Sequence, residues 1–213
     1  VADYQTGGRG QIGSSWFSSK GDNLLFSLLI YPDEVPANEP FIISRIASLA
    51  VKNTLDHFTN DIRIKWPNDI YWKDRKIAGM LIENDIQGKL IENSIIGIGI
   101  NINQQTFPPE LPNPVSLRQI VGSEQDKDYI LDLFMREFFL LYRDFQQDGK
   151  GVIEDEYMLD LYRVNDYYWF EDEGGKFQAM IEDVLPSGHL MLRTLDRDEV
   201  RRYAFKEVSF VNG

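Results

Sequence analysis

Ile95-Ile96-Gly97-Ile98-Gly99-Ile100-Asn101-Ile102-Asn103 alternates between a bulky apolar residue and a small or polar one. Successive side chains of a strand point to opposite faces. Ile96, Ile98, Ile100 and Ile102 therefore belong to a core, while Gly97, Gly99, Asn101 and Asn103 share the other face. A face stripped to bare backbone and then lined with amides leaves room for a flat ligand on the sheet, with donors and acceptors at its end. The alternative is that the glycines only admit a closely packed helix.

Working outward, Asn23 to Tyr31 is a nearly continuous apolar run closed by Pro32, the pattern of a strand buried on both faces. Ile42, Ile43, Ile46, Leu49, Ala50, Leu55 and Phe58 recur at helical spacing, with Asn38 and Pro40 placed to start the helix. Ile62 to Glu83 reads as a meander of three short strands, turning at Pro67-Asn68-Asp69 and Lys73-Asp74-Arg75. Residues 107–114 carry four of the nine prolines and form a loop. Ser123 to Asp126 caps a long helix with an apolar face from Ile130 to Phe145; Gly149 and Gly151 end it, and a shorter helix follows from Val152 to about Tyr162. From Val164 the texture changes to five short strand-like runs, near Tyr167, Phe177, Leu190, Tyr203 and Ser209, which predict a small β-barrel.

Composition narrows the function. The 213 residues suffice for one substantial domain plus a small one, and 43% hydrophobic residues with 13% aromatics is ordinary for a globular enzyme. No apolar run approaches the roughly 18 residues that cross a bilayer. Without cysteine, and with only His57 and His189, the chain has no disulfide, no thiolate metal site and no histidine cluster for zinc. Cytoplasmic localisation is the default expectation. A net charge of -12 argues against the nucleic-acid backbone as a partner. The segment from Val164 holds ten acidic residues against six basic ones, so its barrel is expected to dock or cover rather than to bind nucleic acid. Val1 to Thr6 already reads as a strand and lacks an initiator methionine, so further sequence is expected upstream.

Two other stretches carry chemistry. Asp3 to Trp16 contains Gly7-Gly8-Arg9-Gly10 and Gly13, a loop whose backbone approaches a ligand closely, with amide N-H groups and one arginine fork suited to phosphate or carboxylate. Arg63-Ile64-Lys65-Trp66-Pro67-Asn68-Asp69 and Lys76-Ile77-Ala78-Gly79 bring three cations, a carboxylate and an amide toward one cleft, the arrangement for an anionic substrate such as a nucleotide.

Together these stretches resemble the biotin protein ligase family. Its glycine loop with a preceding glutamine is matched by Gln5 and Gly8-Arg9-Gly10, its lysine-tryptophan-proline-asparagine-aspartate motif by Lys65 to Asp69, its arginine-lysine-x-alanine-glycine motif by Arg75 to Gly79, and its glycine-isoleucine-asparagine strand by Gly99 to Asn101. The resemblance covers residues 1 to about 105, and the C-terminal barrel fits as well. It implies an α+β fold, a mixed sheet flanked by helices as in class II synthetases and biotin-lipoate ligases, over residues 1–163, followed by an SH3-like barrel over 164–213. It implies synthesis of biotinyl-5'-AMP from biotin and ATP with Mg²⁺, then transfer to a lysine of a biotin carboxyl carrier domain of a carboxylase, by a monomer or homodimer.

The site residues follow from the same resemblance. Lys76 and Arg9 are implied as catalytic. Gln5, Gly8, Arg9, Gly10, Gln11, Lys76 and Gly79 are implied at biotin. Arg9, Trp16, Lys65, Asn68, Asp69, Asn101 and Asn103 are implied at the nucleotide, with Asp69 at Mg²⁺. A strand and helix that the family places upstream of the glycine loop do not occur in these residues, and Gln11 stands where many members have arginine. Lipoate protein ligase shares the adenylation step, but the Lys65 to Asp69 motif and the C-terminal strands favour biotin; a silent binding homologue is the remaining alternative.

Overall fold

The computed structural model describes residues 1–11 and 13–211; Ile12, Asn212 and Gly213 lie outside the described residues. The chain opens with a two-residue ribbon, β1 (Gly8–Arg9) against β2 (Ser15–Trp16). Next come β3 (Leu24–Ile30), α1 (Phe41–Asp56), β4 (Ile62–Lys65), β5 (Asp69–Trp72), β6 (Arg75–Gln87) and β7 (Leu90–Ile100). These five longer strands form one sheet in the order β3-β7-β6-β5-β4. The even row of β7 is buried as the alternation predicts, with Ile96 and Ile100 at 0% exposure, and continues into Met80 and Phe26 on the neighbouring strands.

Helices cover that face. They are α1, the short α2 (Leu117–Val121), α3 (Lys127–Gln146) and α4 (Lys150–Leu159). α1 buries nearly its whole length, because apolar residues recur at three and four along it. α3 starts on Asp126, whose carboxylate accepts from the amides of Asp128 and Tyr129. Phe134 of α3 meets Phe26 of β3 edge to face, with centroids 4.9 Å apart.

Several expectations are corrected. The sheet is not mixed: every pairing of named strands is antiparallel, because β4 through β7 are joined by tight hairpins that permit no other direction. Its parallel contacts are single bridges, Ile64 with Leu161 and Lys76 with Pro114. β3 is not buried on both faces, since helices cover one side only; Ser27 and Leu29 face outward, Leu29 at 50% exposure. Val1 to Thr6 contributes one bridge, Ala2 to Leu25, rather than a strand. Gly151 lies inside α4 instead of ahead of it.

The C-terminal strands are β8 (Tyr168–Asp172), β9 (Gly175–Val184), β10 (Leu190–Thr194), β11 (Val200–Tyr203) and β12 (Ser209–Phe210), ordered β11-β10-β9-β8-β12. Among the described residues β12 pairs only with β8, and no pairing joins it to β11, so the hydrogen-bonded strands do not close into a barrel. It packs on α1 and on the turn between β4 and β5. Trp66 Nε1 donates to the carbonyl of Gly188 at 2.9 Å, the buried Arg45 guanidinium bonds both Glu154 and the carbonyl of Val184, and Phe170, Ile181 and Leu192 join the same hydrophobic cluster as α1.

Candidate active site

The uncovered face of β6 and β7 is the floor of the site. Register places Gly79 directly beside Gly99 and Leu81 beside Gly97, so two glycines on adjacent strands make a shallow slot. The indole of Trp16 lies in it. A Cβ at Gly99 would stand 2.5 to 2.7 Å from three ring atoms, and one at Gly79 would stand 3.0 Å from a fourth. Gly99 admits no side chain while the ring is there, and Gly79 only if its neighbours give by a few tenths of an ångström. The bare face therefore receives an aromatic plane, not a helix. Trp16 Nε1 is buried without a hydrogen-bond partner among the described residues, an uncompensated donor at the edge of the site.

The loop holds its own shape by backbone bonds. Gly8 pairs with Trp16 across the ribbon, Gly10 N donates to Ser14 O at 2.9 Å, and Ser14 N donates to Gln11 O at 2.7 Å. A Cβ at Gly8 would fall 2.4 Å from the carbonyl of Trp16, so glycine is required there by approach of the backbones.

Charge is arranged in opposed pairs around this floor. Lys76 Nζ lies 2.6 Å from Asp69 Oδ1 and 5.6 Å from the Trp16 ring. Arg9 turns its fork on Glu83, Nη2 to Oε2 at 3.0 Å and Nη1 to Oε1 at 3.4 Å, in the bidentate mode by which a guanidinium grips a phosphate or carboxylate. Asn68 is fixed to β6 from both ends, its Nδ2 donating to Met80 O at 2.6 Å while Met80 N donates to Asn68 O at 2.9 Å. A cavity of about 300 Å³ joins these groups; its lining includes Gln5, Arg9, Gly10, Gln11, Trp16, Asn68, Asp69, Lys76, Gly79, Glu83, Gly97, Gly99 and Lys206.

Three sequence-derived site residues stand elsewhere. Lys65 is drawn under an aromatic cluster, with Nζ 2.9 Å from Tyr71 Oη and 4.5 Å from that ring's centre. Burial lowers its pKa, Asp69 opposing the shift and Arg163 and Lys76 adding to it. Asn101 and Asn103 are buried and hold loops. Asn101 Nδ2 donates to Val115 O at 3.2 Å; Asn103 donates to Gln125 O and accepts from Gln125 N, both at 2.9 Å. The reason is that β7 ends at Ile100, so the alternation does not carry into these two residues. Arg63 also turns away, toward Asp160 at 3.4 Å.

Two charged lining residues were missed. Glu83 had a signal, since counting by two from Gly79 along β6 reaches it on the same face. Lys206 had none; it arrives from the turn between β11 and β12.

A glycine loop, a glycine floor under an aromatic plane and the cations Arg9, Lys76 and Lys206 thus share one cavity. Residues 1–101 match the biotin/lipoate A/B protein ligase family. The chain is homologous to biotin–protein ligases: it is 35% identical over 153 residues to the bifunctional ligase/repressor BirA of Bacillus subtilis and 32% identical over 154 residues to that of Escherichia coli, in each case 70% of this chain and 47% of the relative. It thus spans about half the length of the curated relatives it matches. The biotin protein ligase from Aquifex aeolicus, solved with biotin and ATP, superposes with a TM-score of 0.82 at 25% identity, covering 100% of this chain and 88% of that one.

Proposed function

We propose that the protein activates biotin with ATP as biotinyl-5'-AMP and transfers the biotinyl group to a lysine of the biotin carboxyl carrier domain of a carboxylase. In the first step a biotin carboxylate oxygen attacks the α-phosphorus, the bond from that phosphorus to the bridging oxygen breaks, and pyrophosphate leaves with the electron pair. In the second the uncharged lysine amine attacks the acyl carbon, AMP leaves with the electrons of the acyl–oxygen bond, and the amine's proton passes to solvent.

The observation that carries this reading is the convergence of Arg9 and Lys76 on one cavity over the Gly79–Gly99 floor, each already oriented by a carboxylate. Glu83 holds the Arg9 fork as an anionic group would, so the fork is oriented for a substrate anion that displaces Glu83. Lys76 offsets the negative charge that grows on the α-phosphate. Trp16 offers a plane against which a flat ring packs, and Asn68, tied to β6, orients the nucleotide. Gln5 and the loop from Gly8 to Gln11 take the biotin side. The Aquifex ligase, solved in complex with biotin and ATP and with the same fold, supports both substrates.

Mg²⁺ fits these residues poorly as a protein-held ion. Asp69 is paired with Lys76, and the described residues contain no cluster of three His, Cys, Asp or Glu side chains that could hold a metal. We assign residues 1–163 to catalysis and 164–213 to an SH3-like unit, in a cytoplasmic monomer or homodimer. No described helix is long and apolar enough to cross a membrane.

The test is isotope exchange of pyrophosphate into ATP by the full-length protein. Exchange that requires biotin and is not supported by lipoate is the expected result. Exchange with lipoate alone replaces the substrate, and no exchange with either acid removes the activity.

A further inference from the structure

We propose that Lys206, carried on the turn between β11 and β12, is a further phosphate-binding residue of the site. This rests on the nucleotide reading above, but the observations behind it concern residues that no motif includes.

Lys206 lines the same cavity as Arg9 and Lys76. Arg9 is neutralised by Glu83 and Lys76 by Asp69, whereas Lys206 makes no ion pair among the described residues. Its Nζ lies 3.7 Å from where a Cβ on Gly13 would stand, so the ammonium hangs over the bare backbone of the glycine loop. Gln11, a neutral amide, lines this end of the cavity. An unpaired cation in a cleft of a protein with net charge -12 is a local exception that favours an anion there.

The backbone beneath it is specialised. Glu207 N donates to Ala204 O at 3.2 Å, closing a four-residue turn in which Lys206 is third with φ +71°. That position ordinarily takes glycine, because the left-handed region crowds a Cβ. A lysine held there against its conformational preference is a reason to look for a role. The turn is also aimed. Phe205 packs on Trp66 at 5.4 Å and on Phe41 at 6.3 Å between centroids, and Glu207 Oε2 accepts from Ala204 N at 2.7 Å. Trp66 lies two residues before Asn68, so the anchor of the turn and the wall of the cavity are one rigid piece.

The test compares wild type with Lys206→Gln, Lys206→Gly and Lys206→Arg as full-length proteins. ATP and inorganic tripolyphosphate binding are measured by calorimetry, and KM for ATP and for biotin by pyrophosphate exchange. Lys206→Gln and Lys206→Gly are expected to weaken both polyphosphate ligands, and to raise KM for ATP, by roughly tenfold, the size of one lost hydrogen bond to a charged group. KM for biotin should stay within about twofold, and Lys206→Arg should recover most of the loss. Lys206→Gly suits the positive φ and folds at least as well as wild type, so an equal loss in the two neutral variants identifies charge rather than backbone. Unchanged polyphosphate affinity in both, with normal exchange by wild type, overturns this inference and leaves the ligase reading standing. A wild-type protein that neither binds ATP nor exchanges pyrophosphate overturns both.

Discussion

Replacing Gly99 by alanine tests whether the glycine row exists to seat Trp16. The added methyl would stand 2.5, 2.7 and 2.7 Å from three atoms of the indole, where carbon contacts prefer about 3.5 to 4.0 Å. Something must therefore move by about 1 Å. Gly99 is paired on both sides, with Leu25 and with Gly79, and cannot retreat, whereas Trp16 sits on a two-residue ribbon. The ring is displaced. Overpacking of this kind costs about 1 to 3 kcal/mol; with the softer partner yielding, we expect about 1 to 2 kcal/mol, or a fall in Tm of about 2 to 8 °C for a chain of this size. Exchange activity should fall much further, because the aromatic plane of the site is lost. Gly97→Ala is the control. Its methyl would meet Leu81 O at 3.4 Å and Ser27 Oγ at 3.9 Å, ordinary contacts, and should leave Tm nearly unchanged. Thermal melts and pyrophosphate exchange on the two variants decide the matter. Equal behaviour of Gly99→Ala and Gly97→Ala would show that Trp16 does not depend on the bare floor.

Other expectations follow from the same geometry. Lys76→Ala should lower single-turnover formation of biotinyl-5'-AMP by at least a hundredfold while changing stability by under about 1 kcal/mol, because a partly exposed ion pair contributes little to folding; normal adenylation would remove Lys76 from the reaction. Lys65 has a folded-state pKa below its unfolded value of 10.5, through burial first. The unfolded chain thus binds the proton more tightly, the cost is fully present below the folded pKa, and stability from this group rises with pH through the window up to about 10.5. Urea unfolding at neutral pH and at about pH 10 should show wild type gaining relative to Lys65→Met as pH rises, with KM for ATP little altered; a pH-independent difference refutes it. Arg45→Met removes a guanidinium at 2% exposure that bonds Glu154 and the carbonyl of Val184. It should cost about 3 to 5 kcal/mol in chemical denaturation, and a loss below about 1 kcal/mol would mean that this link between the sheets is dispensable.

Local periodicity decided much of this protein in advance. The isoleucine–glycine alternation of β7, the helical spacing of α1, the acidic cap of α3 and the turn residues of the β4–β6 meander each act within a few residues, so they are legible without the fold. So were the positions that required glycine, and the cations Arg9 and Lys76. Partners and endings were not. Asn101 and Asn103 continue the alternation on paper, but β7 stops at Ile100 and they turn to Val115 and Gln125. Lys65 shares a motif with Asp69 yet its ammonium sits among the rings of Tyr71, Tyr162 and Phe210, two of which come from far along the chain. Trp16 on the Gly79–Gly99 floor, Glu83 on the Arg9 fork and Lys206 over the glycine loop were decided only by strand register and by the docking of the second sheet, contacts between residues far apart in sequence that no local pattern encodes.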